Sequence, residues 1–371
     1  MRVVAVLLVS ACAHHAAILP KSPAHDLAAA KGESKSNATK DPRVVDLDII
    51  RVTAHGDGVE QVSTADLFAQ ANAAAKAGQT ERALALYRQI VNDFPESKFA
   101  PVALFDMAAI YDGRGDVDET IALLRELVAK YPQTRESIDG HLYIAAVQTE
   151  HARYADAVAT LDAVLARDAL TYTDRIEAFA RRGYVLVELA RYDDASASLD
   201  AAIAAWHQAP HVDNPYYIAM AHYYKGELEH RRFAAVPVHL PDAELFAALD
   251  KKRALAAAAY DAWRGALDFR QAYWATAAGY QMSQIFYELW EATVTAPYPA
   301  ELAAGARTKY LDEVHARVRD HLEKALDGHR MNVELAKAYG VETTWSRASG
   351  ERALAVMDVL AKDSQGQYVA P

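Results

Sequence analysis

The sequence predicts an all-α chain: an α-solenoid, a right-handed superhelix of helix hairpins, whose second half is irregular and made of larger helices. Three observations predict it. Apolar and small residues recur at helical spacing. One set of them returns at a fixed step along the chain. The composition suits helices, since 52% of the 371 residues are hydrophobic, alanine is abundant, and the 16 Gly and 13 Pro are few for an all-β protein. Alanine is the strongest helix former and lets helices approach closely.

The elements follow in order. Residues 13–62 are read as a tether, poor in periodicity at first. Within it, Arg43 to Val52 partly alternates, His55-Gly56-Asp57-Gly58 offers a turn and Val59 to Val62 returns, so a short hairpin is predicted. An isolated hairpin is marginal in water. It therefore packs on the first repeat, pairs with a partner's strand, or stays unstructured. Residues 63–206 carry the regular hairpins. Ser63-Thr64-Ala65-Asp66 supplies an N-cap with an acidic first turn. Leu67, Ala71 and Ala74 share one helix face, Gly78 turns the chain, and Ala83, Tyr87 and Ile90 share the next face. Leu104, Ala108 and Tyr111 with Thr120, Leu124 and Leu127 repeat the pattern, as do His141, Ala145 and Gln148 with Ala157, Leu161 and Val164. Ala71, Ala108 and Ala145 are 37 residues apart, and Gly183 lies 38 further on, opening a fourth unit with Leu186, Ala195, Leu199 and Ala202. Self-similarity at a fixed period sets the architecture of all it covers.

These residues resemble the tetratricopeptide repeat (TPR), a helix–turn–helix unit of about 34 residues. The longer step, and the closing phrases Asn92-Asp93-Phe94-Pro95 and Ala129-Lys130-Tyr131-Pro132, resemble the repeats of BamD-type envelope lipoproteins and of the Tol-Pal coordinator family. Ala169 stands where the third repeat would close with proline. The resemblance implies a non-catalytic scaffold that binds an envelope protein or peptide and needs no cofactor. It also implies a groove lined mainly by the first helix of each pair. Extending the register proposes Phe68 and Asn72, Phe105 and Ala109, Leu142 and Ala146, and Ala180 and Tyr184 as lining residues, with His222 and Lys225 continuing the row. An apolar-aromatic row with few charges suits an extended peptide or an amphipathic helix. The alternative is that Phe68 and Phe105 pack against the neighbouring helix.

After Trp206 the period breaks, and residues 207–361 read as larger, irregular hairpins. Helices are predicted from Pro215 to about Phe233, from Asp242 to Arg270, from Ala272 to Thr295, from Leu302 to Tyr339 and from Thr344 to Leu360. Residues 362–371 are read as a disordered tail. The passages Trp274 to Tyr280 and Ala296-Pro297-Tyr298-Pro299, with Asn332 and Trp345, resemble the C-terminal region of TPR lipoproteins of gliding myxobacteria. That resemblance implies an envelope or motility complex.

Residues 1–12 carry a different signal. Met1-Arg2, then Val3 to Val9, then Ser10-Ala11-Cys12, form a positive start, an apolar stretch and small residues, which describes a secretory leader. Val9-Ser10-Ala11-Cys12 resembles the lipobox of bacterial lipoproteins. The resemblance implies acylation of Cys12, anchoring by acyl chains and, with Ala13 next, the periplasmic face of the outer membrane. No later segment reaches the roughly 20 apolar residues of a membrane span. A cytoplasmic TPR adaptor is the alternative if the leader is spurious, and a β-barrel assembly accessory of the BamD type is the alternative within the envelope.

Other functions find less support. The net charge of -11 argues against nucleic acid, which needs clustered Lys and Arg. Cys12 is the only cysteine, so no intrachain disulfide forms and no cysteine nucleophile remains. Neither a Gly-x-Ser-x-Gly elbow nor a phosphate-binding glycine loop is present. Of the 14 histidines, His207 and His211 are four apart but flank Pro210, and no His-Glu-x-x-His occurs. A helical metal-dependent hydrolase using His222, Glu227 and His230 is the remaining alternative of another class. Asp112 to Glu119 lacks the ligand spacing of a calcium loop and falls where an inter-helix turn belongs.

Overall fold

A computed structural model describes residues 49–55, 58–168 and 170–369. Cys12, most of the segment expected to be a tether and Ala169 lie outside the described residues. Among the described residues the chain forms thirteen α-helices, one two-stranded sheet and a single 3-10 turn, Ala304–Ala306. No helix among them is long and apolar enough to cross a membrane. The helices pack in sequence as TPR-like hairpins. They divide into two compact units, residues 1–153 and 154–371.

In the first unit, β1 (Ile50–His55) and β2 (Gly58–Ser63) form the expected antiparallel hairpin, with Ile50 opposite Ser63. Of the three fates open to it, the observed one is packing on the first repeat. Arg51 donates to the Asp93 carbonyl at 2.6 Å and lies 4.5 Å above the Phe94 ring, while Val62 joins the core. The Thr64 amide and hydroxyl both donate to the Ile49 carbonyl, at 3.2 and 3.3 Å. These contacts supply what a lone hairpin lacks.

Helices α1 (Thr64–Lys76) and α2 (Thr80–Asp93) follow. Ser63 caps α1 by accepting from the Asp66 amide. Ala71, Ala83 and Ile90 are fully buried where the two helices cross. Helices α3 (Phe99–Arg114) and α4 (Val117–Lys130) repeat the arrangement, with Ala108, Thr120 and Leu124 at 0% exposure. Gly115 turns between them at φ +79°, a conformation that costs glycine little. Phe94 and Tyr131 end α2 and α4, and the prolines behind them cannot prolong a helix. Burying leucines such as Leu104 and Leu124 contributes roughly 1.5–3 kcal/mol each. Helix α5 (Arg135–Glu150) closes the unit on α4, Gly140 sitting close over Leu127.

The second unit contains α6 (Tyr154–Leu165), α7 (Tyr172–Glu188), α8 (Tyr192–Gln208), α9 (Tyr216–Ala234), α10 (Asp242–Leu267), α11 (Ala272–Val294), α12 (Arg307–Ala338) and α13 (Thr344–Ser364). Helix α7 starts at a capping box, Thr171 and Asp174 each bonding the other's backbone amide. Helix α7 packs on α8 and also on α9, so the break in period at Trp206 does not break the packing. The regular and irregular hairpins of this unit pack on one another, and the compact units divide after Arg153.

The row of small crossing residues continues past the break at longer steps. A Cβ on Gly183 would meet Leu199 of α8 at 2.4 Å, one on Gly226 would meet Trp263 of α10 at 2.3 Å, and one on Gly279 would meet Asn332 of α12 at 2.2 Å. The steps lengthen from 38 residues at Gly183 to 43 at Gly226 and 53 at Gly279. The connection from 209 to 215 lies within the step of 43, and the 26-residue α10 lies within the step of 53.

The segment expected to be a disordered tail is folded as far as Val369. Helix α13 continues to Ser364, and Gly366 at φ +74° turns the chain back to meet His315 of α12.

Candidate protein-binding face

The first helices of successive pairs meet directly. In the first unit α1 meets α3 and α3 meets α5; in the second, α7, α9, α11 and α13 meet in turn. Each unit thus presents one side built only from first helices, where the sequence placed a groove.

In the first unit that side is aromatic. Half-buried Phe68 stacks on Phe99, with ring centroids 4.9 Å apart. Half-buried Asn72 accepts a hydrogen bond from the Tyr87 hydroxyl. Ala109 is half-buried beside them. Phe105, at 2% exposure, lies in the core with its ring 5.5 Å from that of Tyr143. Leu142 and Ala146 are buried as well. Phe105, Leu142 and Ala146 are therefore not available as groove surface, a correction to the expected lining. Phe105 takes the alternative left open for it, packing between helices. Phe68 shares its ring contact with Phe99 but keeps a solvent edge.

In the second unit the expected row is replaced by a polar one. Ala180 and Tyr184 are buried, the Tyr184 ring 4.4 Å from that of Tyr224. His222 and Lys225 point to the second helices. His222 packs against Gly265 and Phe269 near the end of α10, and Lys225 pairs with Asp200 of α8. Burial, then the charge of Lys225, lowers the pKa of His222. The expected register carried Tyr184 forward by 38 residues to His222, whereas the crossing glycines advance by 43. The position equivalent to Tyr184 is therefore Glu227, and His222 and Lys225 fall on the wrong face.

What lines this side is a ladder of hydrogen bonds between consecutive first helices. Arg181 of α7 donates to the Tyr217 hydroxyl of α9 at 2.7 Å, and Arg231 of α9 reaches Glu188 of α7 at 3.4 Å. Gln281 of α11 donates to Glu227 of α9 at 2.9 Å, and His230 of α9 bonds Glu288 of α11 at 2.6 Å. Arg352 of α13 donates through Nε to Gln284 of α11 at 2.9 Å and lies 4.0 Å over the Tyr287 ring. Tyr273, Tyr280 and Tyr287 stand half-buried along it.

The ladder's centre holds three titrating groups. Burial raises the pKa of Glu227. For His230, burial works against the charged form, but the hydrogen bond and charge of Glu288 outweigh it and raise the pKa. Burial likewise opposes the Glu288 carboxylate, but its bond to His230 wins and lowers the pKa. The pair is thus ionised and joins α9 to α11.

The structure does not bring together the three residues of the metal-enzyme alternative. His222 faces α10, while Glu227 and His230 face α11, so the three do not converge. Among the described residues no group of three His, Cys, Asp or Glu side chains is placed to hold a metal ion.

Comparison with known proteins places the repeats in a class. Residues 58–214 match the family model described as "Tetratricopeptide repeat-like domain". Tetratricopeptide repeats bind protein partners. Among solved structures, the chain is similar to residues 41-end of MamA from Desulfovibrio magneticus RS-1, at 15% identity over 54% of this chain and 95% of that one, with a TM-score of 0.34. It is also similar to the C-terminal part of a TPR repeat-containing protein from Cytophaga hutchinsonii, at 12% identity over 81% of this chain and 100% of that one, with a TM-score of 0.42. A tetratricopeptide repeat protein from Parabacteroides merdae matches at 13% identity over 79% of this chain and 98% of that one, with a TM-score of 0.38. No curated protein matches the chain.

Proposed function

We propose that this protein is a non-catalytic scaffold that binds a protein partner on the first-helix side of its repeats, anchored to the bacterial outer membrane through acylated Cys12 and serving an envelope complex of assembly or motility. The observation that carries the binding reading is the ladder of the second unit. Its side chains are already fixed by one another, so little rotamer entropy is lost when a partner docks. The half-buried tyrosines along it offer large, stiff surfaces of the kind that anchor interfaces.

Two experiments test the two parts separately. Metabolic labelling with palmitate is expected to mark the wild type and to leave Cys12→Ser unlabelled; label surviving in Cys12→Ser removes the anchor. A pull-down from envelope extract is expected to recover a specific protein with the wild type and to lose it with Tyr280→Ala combined with Arg231→Glu. Recovery unchanged by that pair removes the ladder as the docking face.

A further inference from the structure

We propose that α13 pairs antiparallel with α13 of a second copy of this chain, Leu354 of each entering the notch at Gly350 of the other. Helix α13 repeats α11 at a step of 71 residues: Trp345 stands where Trp274 stands, and Gly350 where Gly279 stands. The contacts agree with that register. Trp274 packs on Tyr223 of the preceding first helix, with ring centroids 5.3 Å apart, and Trp345 packs on Tyr280 of its own predecessor at 5.5 Å. Gln281 reaches back to Glu227 as Arg352, 71 residues on, reaches back to Gln284. Helix α13 is thus a first helix by its contacts as well as by its place.

What differs is its cover. Gly183, Gly226 and Gly279 each lie under a side chain of their own second helix, whereas a Cβ on Gly350 would meet only Val333 of α12, at 3.9 Å. Ser283 of α11 is 3% exposed and lies against Gly328 of α12, but its equivalent on α13, Leu354, is 66% exposed. Met357, the equivalent of Phe286, is 43% exposed. Among the described residues no second helix follows, and the chain after α13 turns back at Gly366 toward His315 of α12. Gly350, Leu354 and Met357 fall at i, i+4 and i+7, so they form one apolar stripe on one side of the helix.

The three covered glycines show what fits this stripe: a helix that sets a bulky side chain over the glycine, as Leu199 does over Gly183. Helix α13 carries such a residue itself, Leu354, one turn beyond its own glycine. A single two-fold operation therefore fills both notches, which is the self-complementarity an isologous interface requires. Charge agrees with this register. With Leu354 opposite the partner's Gly350, Arg347 comes beside the partner's Asp358, and the reverse pair forms by symmetry. Within the chain these two hold only exposed partners, Glu342 at 3.1 Å and Lys362 at 2.7 Å, and exposed pairs of this kind contribute little and exchange readily. Residues 344–360 of the two helices overlap, roughly 25 Å of helix. That falls short of a standard interface of about 1,200–2,000 Å², so the pairing forms and dissociates with concentration.

The test uses the full chain carrying Cys12→Ser, so that no acyl chain drives association. Sedimentation velocity is expected to show monomer passing to dimer between about 1 and 100 μM. Leu354→Glu is expected to stay monomeric throughout with unchanged circular dichroism, since the side chain it replaces is exposed. Arg347→Asp and Asp358→Arg are each expected to weaken the dimer about tenfold, and the two combined to restore it. A chain that is monomeric at every concentration, whether or not another protein's helix is captured on this face, overturns the proposal. So does a dimer that survives Leu354→Glu, or one that the combined charge exchange does not restore.

Discussion

Gly226→Ala is the sharpest perturbation of the helix packing. Gly226 sits in the middle of α9, and an ideal Cβ there would lie 2.3 Å from both Cδ1 and Nε1 of Trp263 and 2.6 Å from its Cγ. The indole is 0% exposed and its ring cannot bend away, so either the helices separate or the tryptophan leaves its place. Overpacking of this kind costs about 3 kcal/mol at the upper end of its usual range. Replacing a helical glycine by alanine gains about 1 kcal/mol in the opposite direction. The net is a loss of about 2 kcal/mol, which lowers the melting temperature of a unit this size by about 4–8 °C. Gly113→Ala is the control, since it lies in α3 with nothing within 4 Å of the added methyl and keeps only the gain. Thermal unfolding read by far-UV circular dichroism measures both. Trp263→Leu combined with Gly226→Ala should lose less than the two single losses summed, because one change relieves the other. A Gly226→Ala protein as stable as Gly113→Ala would refute the close approach of α9 and α10.

Three further outcomes follow from the buried polar groups. The His230–Glu288 pair stabilises most where both are charged: the His230 contribution is present below about pH 6.5 and lost as pH rises through its raised folded value, and the Glu288 contribution is present above about pH 4.5 and lost as pH falls through its lowered one. Glu288→Gln should flatten both limbs in melting scans from pH 3 to 9, and unchanged limbs would dismiss the pair. Burial, then the charge of Arg352, lowers the His329 pKa to about 4, so its protonation opposes the fold and stability falls from about pH 6.5 toward 4 by up to about 3 kcal/mol. His329→Gln should remove that acid loss, as measured by urea unfolding at stepped pH. Asn332, at 2% exposure, donates to the Thr276 carbonyl and to Ser349 Oγ at 2.8 Å each, and Asn332→Ala should cost about 1–3 kcal/mol by stranding those acceptors.

The hairpins of the first half were legible because Ala71, Ala108 and Ala145 recur at one step, and Gly78 and the proline phrases mark the turns. The second half obeyed the same packing rule but hid it. Gly226 and Gly279 stand where Gly183 stands, yet the connection at 209–215 and then the 26-residue α10 stretch the spacing, so a fixed period misses them. The candidate site suffered from that slip. A register carried forward by 38 residues from Tyr184 reaches His222, one face away from Glu227. Phe105 failed for another reason: sequence shows which side of a helix is apolar, but core and groove both want apolar residues. The ladder was out of reach because it depends on which first helices become neighbours, as Arg352 and Gln284 do across 68 positions.

A photo-crosslinking residue placed singly along the second unit tests the function most directly. At Tyr280, on the first-helix side, it should trap a discrete envelope protein, while at Ala257, exposed on α10, it should trap none. Adducts formed at Ala257 and absent at Tyr280 would contradict the account.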